Sequence, residues 1–124
     1  MDQKSSPQCC GGTELIFACS GAADVGEIAD RAARKLTKEG TGRMFCLAGV
    51  AARKDGIMKT TETASKIAAI DGYSLDCVKK CLELAGFKKF AHLRVTDLGF
   101  EKGQAAVTDE NVATVAQRGA SFLI

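Results

Sequence analysis

Cysteine is the residue type with the most distinctive chemistry in this chain, and six cysteines occur among its 124 residues. Three of them, Cys19, Cys46 and Cys77, stand where a predicted β-strand gives way to a loop or to the first turn of a helix. In an open α/β sheet the carboxyl ends of the strands meet at one edge, where ligands bind. We therefore expect these thiols to come together in space, as a soft-metal site or a redox site requires.

Each of these cysteines also has a plain structural interpretation, because free cysteine is often just a small buried hydrophobic residue. Taken alone, Cys46 in the apolar run MFCLAGV is better interpreted as a core residue. Cys77 and Cys81 are four residues apart and share a helix face, so the pair could hold one metal ion. For Cys81, packing against Leu84 and Ala85 is slightly favoured.

Two adjacent cysteines, Cys9 and Cys10, lie beside two glycines in the polar segment 1–12. We predict that this segment is a flexible tail and that residues 13–124 form a single α/β domain. Neighbouring cysteines rarely form a disulfide with each other, because the peptide between them is strained. Such a pair can instead close over a metal or attack another disulfide.

The remaining polar residues give weaker signals. His92 is the only histidine, and without a partner at metal-binding spacing it is better interpreted as a hydrogen-bonded strand residue. Asp71 and Asp97 end predicted strands and could accept hydrogen bonds from the site, although capping a turn is the commoner role. Gly-x-Ser-x-Gly, Gly-x-Gly-x-x-Gly and Walker patterns are missing from the sequence, which offers no catalytic motif beyond its cysteines.

The elements that must position these residues alternate along the chain. Apolar runs predict strands at 15–17, 44–50, 67–70 and 90–96. Helical spacing and capping signals predict helices that begin at Asp24 and end at Gly40, cover 58–67, begin at Ser74 and end at Gly86, and begin at Thr108. Asp24 and Glu27 resemble an acidic capping box. Apolar strands separated by helices predict a three-layer Rossmann-like α/β domain, with a mostly parallel sheet of about four strands and helices on both faces.

Composition and charge exclude several classes of function. Hydrophobic residues make up 46% and charged residues 26% of the chain, as in ordinary globular proteins. A net charge of +2 is too small for a nucleic-acid-binding surface. We find no apolar run of the roughly eighteen residues that span a membrane and no signal peptide, so we expect a cytoplasmic location. Thiols stay reduced there, and six cysteines then indicate metal or redox chemistry before disulfides.

Four segments, CSGAADVGEIADRAARKL, MFCLAGV, AAIDGYSLDC and HLRVTDLG, resemble the DGC-domain family of small prokaryotic proteins, which are described as zinc-binding. The resemblance extends from Cys9 to Leu98. It implies a metal ion as the partner, with zinc as the expected metal and another thiophilic metal or a metalloid as the alternative. The cysteines that it implies as ligands are Cys9 or Cys10, Cys19, Cys46 and Cys77.

The chain departs from the family pattern at one position. The defining Asp-Gly-Cys is here Asp71-Gly72-Tyr73, and tyrosine is a poor zinc ligand beside thiolate, imidazole and carboxylate. If the family site uses that cysteine, a fourth ligand must come from Cys81, Cys10 or Cys9.

Two functions from different classes follow. The first is a metal-binding module in which Cys19, Cys46 and Cys77 hold zinc. The alternative is a thiol-redox or thiol-transfer protein, in which the start of the following helix stabilises the thiolate of Cys19. In that alternative Cys46, Cys77 or the Cys9–Cys10 pair would resolve the oxidised Cys19. A binding domain with cysteines that only pack remains open, and the sequence identifies no protein partner.

Overall fold

A parallel four-stranded sheet forms the centre of residues 13–124, the part of the chain that the computed structural model describes. Its strands are β1 (Glu14–Ala18), β2 (Arg43–Met44), β3 (Lys66–Asp71) and β4 (Ala91–Arg94). They lie in the order β2-β1-β3-β4, and every neighbouring pair is parallel. Strands β1 and β3, which carry the site described below, are therefore central neighbours.

Helices cover both faces of the sheet, which confirms the predicted three-layer α/β class. They are α1 (Asp24–Lys38), α2 (Leu47–Ala51), α3 (Asp55–Glu62), α4 (Cys77–Leu84) and α5 (Asp109–Ala120). Helices α1 and α5 pack together on one face, and α2 packs against α3 and α4 on the other. A 3-10 turn (Val95–Leu98) follows β4. No helix of residues 13–124 is long and apolar enough to cross a membrane.

The alternation of side chains along β1 divides the interior into two cores. Ile16 and Ala18 pack beneath α1 and α5, whereas Leu15 and Phe17 pack with residues of α2 and α4. Successive side chains of a strand point to opposite faces, and Cys19 accordingly packs on the second of these cores. The register of the strand thus places the Cys19 side chain on the face that carries α4.

Several predicted elements are confirmed. Strand β1 contains the run 15–17, β3 contains 67–70, and α5 begins after Thr108, whose side chain accepts a hydrogen bond from the amide of Asn111. Helices α1 and α4 end before Gly40 and Gly86, both of which have the positive φ angle that glycine accommodates most easily. The tail prediction for 1–12 lies outside the described residues.

The predicted second strand was wrong beyond Met44. Its apolar run turns into helix α2, which begins after Cys46. A short apolar run does not distinguish a strand from a buried helix. Gly49 allows the helix to approach its neighbour, since a Cβ there would lie 2.8 Å from the side chain of Ile57.

Other boundaries were displaced. Helix α3 spans Asp55–Glu62 rather than 58–67, and β4 ends at Arg94 rather than at 96. Helix α4 begins at Cys77, not at Ser74, with Asp76 as its N-cap residue. The capping box at α1 was wrong as well, because Ala23 is the N-cap residue and Glu27 pairs with Arg31.

Candidate functional site

A cavity of about 230 Å³ opens at the carboxyl edge of the sheet, between the ends of β1 and β3. Its wall includes Cys19 and Ala23 from the loop after β1, Asp71 at the end of β3, and Tyr73 and Cys77 from the segment that follows. This is the edge at which ligands bind in parallel α/β sheets. Two of the predicted site residues, Cys19 and Cys77, thus line one cavity.

Hydrogen bonding and close backbone packing hold Cys19 in position. Its amide donates to the carbonyl oxygen of Ile70 at 3.0 Å, which extends the pairing of β1 with β3 by one residue. A Cβ at Gly21 would lie 3.3 Å from the Cys19 sulfur. A Cβ at Gly72 would lie 2.8 Å from the amide nitrogen of Gly26 in α1. Because Gly21 and Gly72 have no side chains, the loop after β1 and the loop after β3 can pack closely around the thiol of Cys19.

Cys77 is the first residue of α4 and follows Asp76, whose φ of 56° lies in the left-handed region. The residue is exposed overall, yet desolvation of the thiol is the largest cause of a raised Cys77 pKa. The neighbouring thiol of Cys19 and the carboxylate of Asp71 raise that pKa further, and Cys81 adds to it. Because Coulomb interactions fall with distance, Cys19 and Cys81 are electrostatic neighbours of Cys77.

The other two described cysteines lie on the same face of the sheet. Cys81 is one turn further along α4 and is half-buried. Cys46 is exposed at the start of α2, where its sulfur accepts a hydrogen bond from the amide of Gly49 at 3.2 Å. Its interpretation as a core strand residue was therefore wrong. All four cysteines of residues 13–124 are free thiols, whereas Cys9 and Cys10 lie outside the described part.

One cluster of potential ligands was missed by the sequence analysis. Within residues 13–124, the group of three potential ligand atoms that lie within 4.8 Å of one another consists of Asp71, Asp76 and His92. Two carboxylates and an imidazole form a possible metal site. Alternate residues of a strand share a face, so His92 and Arg94 of β4 could have been predicted to point the same way, but not toward these aspartates.

The hydrogen bonds of Asp71 join three elements. Its carboxylate, 1% exposed, accepts from the amide of Val78 at 2.8 Å and from the amide of Lys79 at 3.1 Å. It also accepts from Nε2 of His92 at 2.9 Å. Asp71 thus caps the first turn of α4 from the end of β3.

Asp76 forms an ion pair within the same cluster. Arg94 donates to its two carboxylate oxygens, through Nε at 2.8 Å and through Nη2 at 2.6 Å. The hydrogen bond from Arg94 is the main reason that the pKa of Asp76 is lowered. Since Arg94 already supplies the positive charge, a metal ion at this cluster would compete with a guanidinium.

Tyr73, which stands in place of the family cysteine, is half-buried and packs against the core beneath α1. The ammonium of Lys102 lies 4.4 Å from the centre of its ring, within the range of a cation–π contact. Tyr73 thus forms an aromatic wall of the cavity.

A larger open groove, of about 780 Å³, lies along α1 beside α5, away from the cysteines. Several of its charged residues form ion pairs along α1, with Arg31 hydrogen-bonded to Glu27 and Arg34 hydrogen-bonded to Asp30. The groove brings together no thiol or imidazole, so we assign the site to the smaller cavity.

Comparison with known proteins agrees with the motifs. The profile of the DGC domain matches residues 15–118. The anaerobic and virulence modulator AnvM of Pseudomonas aeruginosa is 32% identical over 88 residues, which cover 71% of this chain and 67% of that protein. No solved structure matches the chain. On the strength of the profile match and of this relative, the chain belongs to the DGC-domain family.

Proposed function

We propose that this protein binds a thiophilic divalent metal ion, zinc above all, at the cavity between Cys19 and Cys77. The observation that carries the proposal is that these two thiols, 58 positions apart in the sequence, line one cavity at the carboxyl edge of the sheet. Thiolates are strong ligands for zinc. The Asp/Asp/His cluster beside the cavity and the family membership also fit a small metal-binding protein.

The remaining ligands are best sought on the same face of the sheet. Cys81 is an electrostatic neighbour of Cys77, and Cys46 begins α2, which packs against α4. Cys46 is exposed at a helix start and Cys81 is half-buried, so both side chains can change rotamer at little cost to the core. We therefore propose Cys46 and Cys81 as the candidates that complete the site.

The length of the chain argues against Cys9 and Cys10 as ligands of this cavity within one molecule. Thr13 pairs with Ser65 at the amino end of the β1–β3 ladder, and Cys19 pairs with Ile70 at the other end. Six residues of extended strand separate Thr13 from Cys19 by about 20 Å. The three residues from Cys10 to Thr13 span at most about 11 Å. The four residues from Cys9 to Thr13 span at most about 14 Å. Both spans are shorter than the strand, so Cys9 and Cys10 are less favourable ligands for this cavity than Cys46 and Cys81.

The Asp71, Asp76 and His92 cluster is the alternative metal site. Its atoms are close enough to share an ion, but each is engaged by a protein donor or acceptor, and Arg94 neutralises Asp76. A ligand set with no competing cation is the more favourable one for zinc. We therefore propose that this cluster supports α4 rather than holding the metal.

In this proposal the chain supplies binding and shape. Cys19 and Cys77 hold the ion as thiolates, and Tyr73 with Leu75 forms the wall that limits access of water. Bound zinc would contribute Lewis acidity if a coordination position stays open, or folding stability if the site is closed. Cytoplasmic residence fits the proposal, because a reducing compartment keeps the thiols available.

The test is a zinc titration against a chromogenic chelator, with protein purified anaerobically without a histidine tag. We expect one zinc per chain, and we expect Cys19→Ser and Cys77→Ser to weaken binding by about a hundredfold or more, beyond the effect of losing an outer-shell partner. Ser20→Ala, which alters the exposed neighbour of Cys19, is the matched control. Cys46→Ser and Cys81→Ser identify the additional ligands.

Two results would contradict this assignment. Wild-type protein that binds no zinc would exclude the function. Loss of binding in His92→Gln, with binding retained in both cysteine variants, would move the metal to the Asp/Asp/His cluster. An oxidised Cys19 disulfide in the isolated metal-free protein would instead favour the thiol-redox alternative, which stays a prediction.

A further inference from the structure

The first turn of α4 is capped by a residue from outside the helix. Asp76 occupies the N-cap position, but its side chain is turned to Arg94. The amides of Val78 and Lys79 donate instead to Asp71, seven and eight residues earlier in the chain. An N-cap normally comes from the residue that begins the helix. Here the start of α4 is fixed to the end of a strand.

That strand end also fixes the other thiol. Cys19 donates its amide proton to the carbonyl oxygen of Ile70 at 3.0 Å. Ile70 and Asp71 are consecutive, so the backbone of one residue holds Cys19 and the side chain of the next holds the turn that begins with Cys77. The positions of both thiols are therefore fixed relative to the same two residues of β3, Ile70 and Asp71.

His92 keeps the carboxylate of Asp71 in this orientation. Its Nε2 lies 2.9 Å from Oδ2 of Asp71, and its side chain is 20% exposed. The carboxylate is thus surrounded by three donors from two elements, β4 and α4. Few rotamers satisfy three donors at once, so the side chain is held rigidly.

We propose that Asp71 is a positioning residue, which sets the separation of the Cys19 and Cys77 thiols without binding the ligand itself. This inference rests on the proposed function for its purpose, since a metal site needs its ligands held within a fraction of an ångström. The separation of the two thiols, which is what Asp71 is proposed to set, can be probed without any metal.

Asp71→Asn tests the role with almost no change of shape. An amide keeps one acceptor oxygen but replaces the other by a donor, which then faces another N–H group. The first turn of α4 loses at least one of its caps. Val115→Ala is the matched control, because it truncates a buried residue of α5 on the opposite face of the sheet. It should destabilise the protein through α5, which makes none of the hydrogen bonds that hold Cys19 or the first turn of α4.

The metal arm uses Co²⁺ in the full chain as a spectroscopic probe of thiolate coordination. For Asp71→Asn we expect at least tenfold weaker Co²⁺ binding and a changed visible absorption spectrum, in line with the loss of an outer-shell support. For Val115→Ala we expect the wild-type affinity and spectrum, with a lower Tm. An Asp71→Asn protein with wild-type affinity and spectrum would overturn the inference.

The metal-free arm uses the full chain with the substitutions Cys9→Ser, Cys10→Ser, Cys46→Ser and Cys81→Ser, so that Cys19 and Cys77 are the remaining cysteines. The two thiols and one oxidised glutathione are converted into one protein disulfide and two reduced glutathiones, and the equilibrium constant gives the effective concentration of one thiol at the other. We expect Asp71→Asn to lower this value about tenfold and Val115→Ala to leave it unchanged. An unchanged value in Asp71→Asn would overturn the inference.

The two arms separate the two claims. A wild-type protein that binds neither Co²⁺ nor zinc, but whose effective concentration falls in Asp71→Asn, would remove the metal function and retain the positioning role. If Asp71→Asn does not fold, His92→Ala is the variant to measure. It removes the hydrogen bond from β4 to the Asp71 carboxylate and keeps the two hydrogen bonds from the α4 amides to that carboxylate. We expect it to lower the effective concentration about threefold, and no change would overturn the inference.

Discussion

Helices α1 and α4 begin at the same edge of the sheet, and an aspartate carboxylate holds the start of each helix. At α1 the aspartate belongs to the helix, whereas at α4 it belongs to the neighbouring strand. At α1, Asp24 is the first helical residue, and its carboxylate reaches out to the amides of Gly103 and Ala105 at 3.0 Å each. At α4 the carboxylate of Asp71 reaches in from β3. The start of α1 is therefore covered by the chain, whereas the start of α4 presents Cys77 to the cavity.

One edge of the sheet thus carries a closed helix terminus, the start of α1, which the chain covers, and an open one, the start of α4, where Cys77 faces the cavity. The backbone of Gly72 packs against Gly26 of α1 so closely that a Cβ could not fit. A helix amide that already donates a hydrogen bond to a protein group is not free to donate one to a ligand. At α4 the amides of Val78 and Lys79 donate to Asp71, whereas the thiol of Cys77 lines the cavity, and this makes that end chemically available.

The largest effect that we expect concerns the open end. Because the pKa of Cys77 is raised, chiefly by desolvation, protons compete with the metal throughout the neutral range. Zinc affinity should rise with pH by about tenfold per pH unit for each thiol that must lose a proton. The dependence should level off only above the ordinary pKa of a cysteine. Titration from pH 6 to pH 8 measures the slope.

Cys77→Ser should lower that slope by about one proton, and the slope of Ser20→Ala should match that of the wild type. A slope that is the same in Cys77→Ser and in the wild type would show that Cys77 is not a ligand.

The substitution Gly72→Ala tests the close packing at the closed terminus, the start of α1. A Cβ at this position would lie 2.8 Å from the amide nitrogen of Gly26 and 3.0 Å from the carbonyl carbon of Val25. Both are backbone atoms, so the loop or α1 must move. We expect a loss of about 1–3 kcal/mol in the free energy of unfolding, as for other overpacked sites, measured by urea denaturation.

Gly56→Ala is the matched control, because a Cβ at Gly56 in α3 would meet nothing within 4 Å. It should stabilise the protein by about 0.5–1 kcal/mol through a better helix propensity. Equal effects of the two substitutions would contradict the close packing at Gly72.

Asp24→Asn should give a smaller loss of stability with a defined pH dependence. The hydrogen bonds from the amides of Gly103 and Ala105 hold the pKa of Asp24 below the ordinary value of an aspartate. A depressed folded-state pKa stabilises the native state above the unfolded-state pKa, and this contribution disappears as the pH falls through the folded-state value. The wild type should therefore be more stable than Asp24→Asn at pH 7, and the difference should disappear as the pH falls through the lowered folded-state pKa of Asp24.

Asp55→Asn changes the first residue of α3 and serves as the control. It should alter only the interaction with the helix dipole, which is weak at an exposed position. A difference between wild type and Asp24→Asn that persists at low pH would contradict the role of the carboxylate.

The smallest effect is expected at Ser74. If Asp71 caps α4, then Ser74→Ala should change the free energy of unfolding by less than about 0.5 kcal/mol, as at ordinary surface sites. Thr108→Ala should cost about 1 kcal/mol, because the Thr108 hydroxyl accepts from the amide of Asn111 and caps α5. Urea denaturation of both variants checks the contrast. A larger loss in Ser74→Ala would return the cap of α4 to the sequence-predicted residue.

Local patterns predicted the parts of the fold that local physics decides. Helix α1 follows from apolar residues at helical spacing and from Gly40, which ends it. Strand β3 follows from a short apolar run before Asp71-Gly72. The strand prediction for residues 44–50 failed because the same apolar run suits a strand and a buried helix equally. In the structure, Gly49 of α2 packs closely against Ile57 of α3, a contact that the local pattern does not reveal.

The cavity that Cys19 and Cys77 share was predictable in position, but the residues that support it were not. The rule that strand ends meet at one edge placed Cys19 and Cys77 at the same cavity. The support of that cavity was not predictable, because its partners are distant: Asp71 bonds to His92, 21 residues away, and Asp24 bonds to Gly103, 79 residues away. Such pairs depend on strand order, which no local pattern of this sequence specifies.

The central claim is that Cys19 and Cys77 bind one metal ion together. The most direct measurement is the rate at which each cysteine of the full chain is alkylated, read by peptide mass spectrometry, with and without one equivalent of zinc. The account predicts that zinc protects Cys19 and Cys77 in parallel at the same zinc concentration, while Cys9 and Cys10 continue to react. Equal alkylation of Cys19 and Cys77 with and without zinc would contradict it.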